Sequence, residues 1–189
     1  VYVISSFIPV ISHPILIIEG EKGAGKTTMQ RNISRIIHPV SKDVFVLPTD
    51  TNNLVTVLSN NYYCAFDNIG VIPPDICNVL CQAVTGGSLS KRKLYSDNTE
   101  ISISLRRLVT LNGISMHIKQ SDLMDRAIMV KLNRIDSSSR VTEESLKKDF
   151  QNALPDILGA IFQIISKTLM ILNKTSPKKL PRMADFAKY

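Results

Sequence analysis

Tryptophan is absent from the 189 residues, aromatic residues make up only 6%, and cysteine occurs three times, at Cys64, Cys77 and Cys81. The cysteines form no CxxC pair and His13, His38 and His117 are scattered, so neither a disulfide framework nor a zinc site is expected. A reducing, cytoplasmic setting is the default for such usage. Low-complexity tracts and internal repeats are missing too, which excludes solenoid and linker-like architectures. The first twelve residues, VYVISSFIPVIS, are apolar but contain Pro9 and no basic n-region, so a signal peptide is not expected. The apolar stretch at 154–172 is interrupted by Asp156, Gln163 and Lys167, which reads as an amphipathic soluble helix with no membrane partner.

Acidic residues are in deficit. Sixteen Asp and Glu against 23 Lys and Arg leave a net charge of +7 and a pI near 9.4. That balance favours a polyanionic partner such as nucleic acid, although acidic lipid or solubility alone also accounts for it. With 44% apolar and 21% charged residues the chain has the composition of a folded protein. Its length suits one main domain with an appended helical part. A start at Val and an end at FAKY suggest a domain cut from something longer.

Residues 1–12 are a helix or a buried strand, and periodicity does not decide between them. PILIIEG is short, β-rich and unalternating, as a central strand is, and TTMQRNISRII is helical until Pro39. Strands are also expected in DVFVLP, YYCAFDNIG, RRLVTLNGI and AIMVKL, and helices in NLVTVLSN and PPDICNVLCQAVTG. SKRKLYSDNTEISISL divides into two β-like halves about Asp97-Asn98 and predicts a hairpin. From the N-cap Thr142, with Glu143 and Glu144 behind it, a helix is expected to about Asn173 with a break or kink at Pro155. Its stripe of Ile157, Ile161, Ile164, Ile165, Leu169 and Leu172 reads as the core of a helical lid. The expected organisation is an α/β core over 1–140 and that lid over 141–189.

The run GEKGAGKT at 20–27 fits G-x-x-x-x-G-K-[ST] without mismatch, between a strand and a helix. Glycines let the backbone approach phosphate closely, and the following helix start adds partial positive charge. Glu21, Lys22, Gly23, Ala24, Gly25, Lys26, Thr27 and Thr28 are therefore candidate nucleotide contacts. Lys26 is expected to reach the β- and γ-phosphates, and the Thr27 hydroxyl to ligate Mg²⁺. ATP and Mg²⁺ are the expected ligands. Asp67, at the end of YYCAF, is placed to hold Mg²⁺ as a second carboxylate site, and alone it also reads as a turn-starting Asp before Asn68.

GEKGAGKTT, AFDNI, TGGSLSKRKLYSDNTE, LVTLNGI, SDLMDRAIMVKLNRI and LPRMADFAKY, in that order and spacing, run through most of the chain. They resemble the AAA+ ATPase domains of replicative helicases carried by phages, plasmids and integrated elements, near the superfamily III and MCM-like helicases. The resemblance implies a P-loop NTPase fold of AAA+ type, a parallel sheet flanked by helices with a C-terminal helical lid. By the same resemblance Asn112 looks like the sensor that positions the attacking water or reads the γ-phosphate. Arg126 looks like an arginine finger for a neighbouring subunit, and Arg182 like a second sensor in the lid. Their plainer readings are a strand-end Asn, an Arg paired with Asp122 or Asp125, and a solvated basic tail.

Many AAA+ proteins carry Glu directly after the Asp equivalent to Asp67, where this chain has Asn68. An amide orients water but takes no proton, so either turnover is slow or another acid such as Glu21 or Glu100 contributes. In related helicases a hairpin before the sensor strand grips nucleic acid, and Lys91, Arg92 and Lys93 give the segment here a basic flank. Such residues bind phosphate without sequence preference, Tyr95 offers a stacking face, and a solvated edge hairpin is the plainer reading. Arg106 and Arg107 could face DNA, a neighbour or the γ-phosphate. The expected activity is ATP hydrolysis by a ring, a hexamer, moving on single-stranded or forked DNA in replication of a mobile element. An ATP-dependent DNA-binding or loading switch with little turnover is the alternative.

Overall fold

The computed structural model describes residues 1–92, 100–172 and 183–188. Five parallel strands form the central sheet: β1 (Ile15–Gly20), β2 (Phe45–Val46), β3 (Tyr63–Asp67), β6 (Leu108–Gly113) and β7 (Ala127–Leu132). Their order across the sheet is β2-β3-β6-β1-β7. β1 therefore lies inside, with Leu16 against Thr110 on one side and Ile128 on the other. An interior strand is covered on both faces, which is why ILII is unalternating. Ile15 and Ile17 join one core cluster with Leu54, Phe66, Leu80 and Leu111; Leu16 and Ile18 join the opposite one with Tyr2, Ile33, Tyr63 and Leu108.

Helices α1 (Tyr2–Ser5) and α2 (Lys26–Ile37) belong to the second face. Helices α3 (Thr51–Asn60), α4 (Pro74–Thr85) and α5 (Ser121–Met124) supply the first. Thus the opening segment is a single helical turn. The DVFVLP strand shrinks to two residues at the sheet edge, because Val46 is 85% exposed and pairs on one side only. Gly86, at φ 86°, ends α4 in the left-handed conformation, its N–H donating to the Gln82 carbonyl. The hairpin is present as β4 (Ser88–Arg92) paired antiparallel with β5 (Glu100–Ser104). Its Asp97-Asn98 turn, Lys93 and Tyr95 lie outside the described residues.

α6 (Glu143–Ile171) starts where expected, with Thr142 Oγ1 accepting from the Ser145 N–H at 3.2 Å. It runs through Pro155 without the expected break: proline there forfeits one backbone bond on an exposed face, and twenty-eight other residues hold the helix. Nor does its apolar stripe form a lid core. Ile161 is the buried residue of the helix, whereas Ile164 and Leu169 are 44% and 53% exposed. α6 instead lies along the second face: Phe162 meets Phe7 edge-on at 5.6 Å and Arg35 stacks over Phe150. Among the described residues it is the helix long and apolar enough to cross a membrane, with a mean hydropathy of 1.4 in its most apolar window. A short α7 (Ala184–Lys188) completes the described chain.

Candidate functional site

The strands all point the same way, so the loops after β1, β3, β6 and β7 meet at one edge of the sheet. The loop after β1 is the glycine run. Gly23 and Gly25 both take φ 79°, a conformation that a Cβ would strain, and Gly25 caps α2. Gly20 is held by contact instead, since a Cβ there would stand 2.6 Å from the Leu132 carbonyl. Lys26 Nζ folds back over the loop and donates to the Gly20 and Glu21 carbonyls at 2.8 and 2.9 Å. Glu21, Lys22 and Gly23 are exposed, Ala24 is buried beneath them, and Thr28 lies half-buried in the first turn of α2. The loop is therefore closed upon its own lysine, with its outer backbone open to solvent.

Thr27, one residue further, donates its hydroxyl to Asp67 Oδ2 at 2.9 Å. Two candidate Mg²⁺ ligands from distant parts of the sequence thus converge beside the loop. Among the described residues no cluster of three Asp, Glu, His or Cys side chains could hold a metal. A cation here would need phosphate oxygens and water to complete its shell, as Mg²⁺ commonly does. The glycine geometry and this oxygen pair fit a magnesium–polyphosphate ligand.

Asn112, at the tip of β6, is completely buried. Its Nδ2 donates to Gln30 Oε1, and its Oδ1 accepts from the Asn68 backbone N–H at 3.3 Å. Gln30, equally buried in α2, also donates to the Phe66 carbonyl and to Thr110 Oγ1, both at 3.1 Å. Asn112 is therefore tied into the fold, joining α2 to the tip of β3, rather than open to the loop. Asn68 has φ 58°, the left-handed region that Asn tolerates better than most residues and that a Glu would enter at a cost.

Arg126 precedes β7 at the other edge of the sheet, where its carbonyl accepts from the Ile15 N–H. The length of β1 puts roughly 17 Å between it and the glycine loop. Its guanidinium pairs with the Asp122 carboxylate and donates to the Asp122 carbonyl, and this pairing raises its pKa further. Arg106 and Arg107 sit at that far edge as well. Arg107 Nε donates to the Leu58 carbonyl at 2.6 Å in the last turn of α3, and Arg106 to the Val10 carbonyl. Neither faces its own chain's glycine loop. The hairpin leaves from this edge too, with Lys91 opposite Ile101 and Arg92 opposite Glu100. Arg182 lies outside the described residues.

Over residues 1–189 the sequence matches the family described as the actinomycete integrative conjugative element replication protein. The chain belongs to that family. Comparison of this replication protein with curated proteins finds no match. Among solved structures, the apo NrS-1 C-terminal region (305–718) aligns with a TM-score of 0.55 at 17% identity, covering 81% of this chain and 38% of that one. JCV helicase, bound to a thiazolopyridine-containing acetamide, aligns with a TM-score of 0.51 at 14% identity, covering 77% of this chain and 44% of that one. At such identities the likeness is one of fold. The replication protein spans less than half the length of either chain.

Sequence reasoning missed two residues of this replication protein. Gln30 was hidden because an amide on the inner face of a helix has no motif, although a polar residue at a core-facing position was the available signal. The other is Arg140, which follows a 3₁₀ turn (Ser137–Ser139) after β7. A Cβ built on Gly23 would stand 3.4 Å from Arg140 Nη2, so the guanidinium lies against the glycine loop. The cysteines stay out of the chemistry: burial pushes Cys64 up to about 12 and Cys81 up to about 11, which keeps both as thiols.

Proposed function

We propose that this replication protein is the ATP-hydrolysing motor part of a DNA helicase that acts in replication of a mobile element. The observation that carries the reading is the Thr27–Asp67 pair, 2.9 Å apart beside a glycine loop whose Gly23 and Gly25 adopt positive φ. Backbone N–H groups of 23–27 and the start of α2 take the phosphates, and Lys26 leaves the loop carbonyls for the β- and γ-oxygens. Thr27 and Asp67 would hold Mg²⁺, which would supply positive charge to offset that of the phosphate oxygens. Asn112 acts at one remove, fixing the tip of β3 from which Asp67 and Asn68 project.

Arg126 lies too far from its own loop to act there, which supports a role in the loop of a neighbouring copy in a ring, a hexamer, with Asp122 holding it until then. In this reading Arg182 of the lid also reaches the nucleotide, and Lys91, Arg92 and Lys93 of the hairpin hold single-stranded or forked DNA by its phosphates. The protein works in the cytoplasm. A second reading, an ATP-dependent switch for DNA binding or loading, is favoured by Asn68, an amide in the left-handed conformation where a proton acceptor would serve hydrolysis. Strand displacement on a forked duplex, with ATP and Mg²⁺, decides between them. Displacement that Lys26→Ala abolishes supports the motor; ATP-dependent DNA binding without displacement supports the switch.

A further inference from the structure

We infer that Arg140 is a nucleotide-contacting residue that grips the polyphosphate of the triphosphate from the same chain, across the glycine loop from Lys26. The inference rests on the nucleotide reading above. Three observations carry it.

The first is position. The chain leaves β7 at Leu132 and crosses the glycine loop before entering α6. Ile135 Cδ1 stands 3.6 Å from where a Cβ on Gly25 would be, and Arg140 Nη2 stands 3.4 Å from where one on Gly23 would be. Both contacts fall on the two positive-φ glycines of the loop, so the segment packs directly against its backbone.

The second is anchoring. The Ser139 N–H donates to the Asp136 carbonyl at 3.0 Å, closing the turn just before Arg140. Just after it, Thr142 caps α6, and Glu143 Oε1 accepts from Arg31 Nη1 of α2 at 3.0 Å. Arg140 is thus held from both sides over the loop that α2 continues.

The third is electrostatic. Among the described residues Arg140 has neither a hydrogen-bond nor an ion-pair partner. It is an exposed guanidinium set beside a loop of backbone N–H donors, the positive end of a helix and Lys26. Lys26 has only the neutral Gly20 and Glu21 carbonyls to donate to and Arg140 has no acceptor, so a polyanion between them supplies charged acceptors for both. Planar guanidinium matches phosphate oxygens well. Arg31 and Arg107, by contrast, are taken up by the fold, Arg31 by Glu143 and Arg107 by the α3 carbonyls.

Calorimetric titration of the whole chain with ATP, with and without Mg²⁺, tests this for wild type, Arg140→Ala, Arg140→Lys, Lys26→Ala and Lys147→Ala. Lys147 is an exposed cation on α6 and controls for loss of general positive charge. Arg140→Ala is expected to weaken ATP binding about 10- to 100-fold, the effect of one charge-assisted hydrogen bond. Arg140→Lys should recover part of it, Lys147→Ala should match wild type, and all variants should share the wild-type urea midpoint. If Arg140→Ala binds as wild type does while Lys26→Ala loses binding, the inference falls and the nucleotide reading stands. Equal losses in Arg140→Ala and Lys147→Ala also overturn it, as would no recovery with Lys. A wild type that binds no ATP would overturn both.

Discussion

The Thr27 hydroxyl donates to the Asp67 carboxylate at 2.9 Å, although 40 residues separate them. Thr27 is in the first turn of α2 and Asp67 ends β3, which is two strands away from β1 in the sheet. What brings them together is the path of α2 over β6 and β3, fixed by Gln30 bonding the Phe66 carbonyl and Thr110. The pair is therefore a product of the fold as a whole.

Replacing Asp67 by Asn keeps the shape and removes the charge. Asp67→Asn is expected to bind metal-free ATP as wild type does but to lose the strengthening that Mg²⁺ gives. Turnover should fall at least about 100-fold, about 2.7 kcal/mol of barrier. Titration with and without Mg²⁺, followed by phosphate release, checks both parts.

Asn112 and Gln30 should behave as a stability pair. Asn112→Ala strands Gln30 Oε1 in a dry interior and takes the acceptor from the Asn68 N–H at its rim, which costs about 2–3 kcal/mol. Gln30→Ala should cost a similar amount, and the double variant less than the sum, because both deletions break one network. Urea midpoints of the four proteins measure the coupling; strictly additive losses would show that the two amides act independently.

Much of this was legible in the residues. ILIIEG followed by GEKGAGKT carries its strand, loop and helix locally, since apolar continuity and glycine conformations need no distant partner. DVFVLP holds its expected strand but only as Phe45–Val46, because a strand's length is set by what pairs with it, and this one has a neighbour on one side only. The α6 stripe misled: helical spacing shows that one face is apolar, and whether something covers that face is a tertiary fact. At Pro155 the helix continues without a break, because a break costs more when a helix is already long and capped. Asn112 was found by its place at a strand tip, yet its bond to Gln30 joins segments 82 residues apart and no spacing rule contains it.

Arg126 should prove silent in a single chain. Its ion pair with Asp122 is partly exposed, so Arg126→Ala should change stability by less than about 1 kcal/mol and leave ATP affinity unchanged. In a ring it should reduce turnover sharply. Mixing Arg126→Ala with Lys26→Ala, each inactive alone, should restore activity, because some interfaces then combine an intact loop with an intact arginine. Absence of restoration in mixed assemblies would remove Arg126 from the neighbouring site.

Stability should fall below neutral pH through His13. This ring is buried, its Nε2 lies 2.8 Å from the Ser5 carbonyl, and burial together with the Arg106 charge lowers its pKa from the ordinary 6.5. The unfolded chain then binds more protons just below pH 6.5. The contribution is accordingly complete above that value and is lost as pH falls toward the folded pKa. Urea midpoints at pH 7.5 and 5.5 should differ more for wild type than for His13→Gln; equal differences would exclude His13 as the source.

ATP hydrolysis against protein concentration, with and without single-stranded DNA, tests the central claim most directly, because the loop and Arg126 stand at opposite edges of the same sheet. The account predicts turnover per chain that rises cooperatively with concentration, increases with DNA and vanishes in Lys26→Ala. Turnover per chain that is constant across concentration and indifferent to DNA would contradict it.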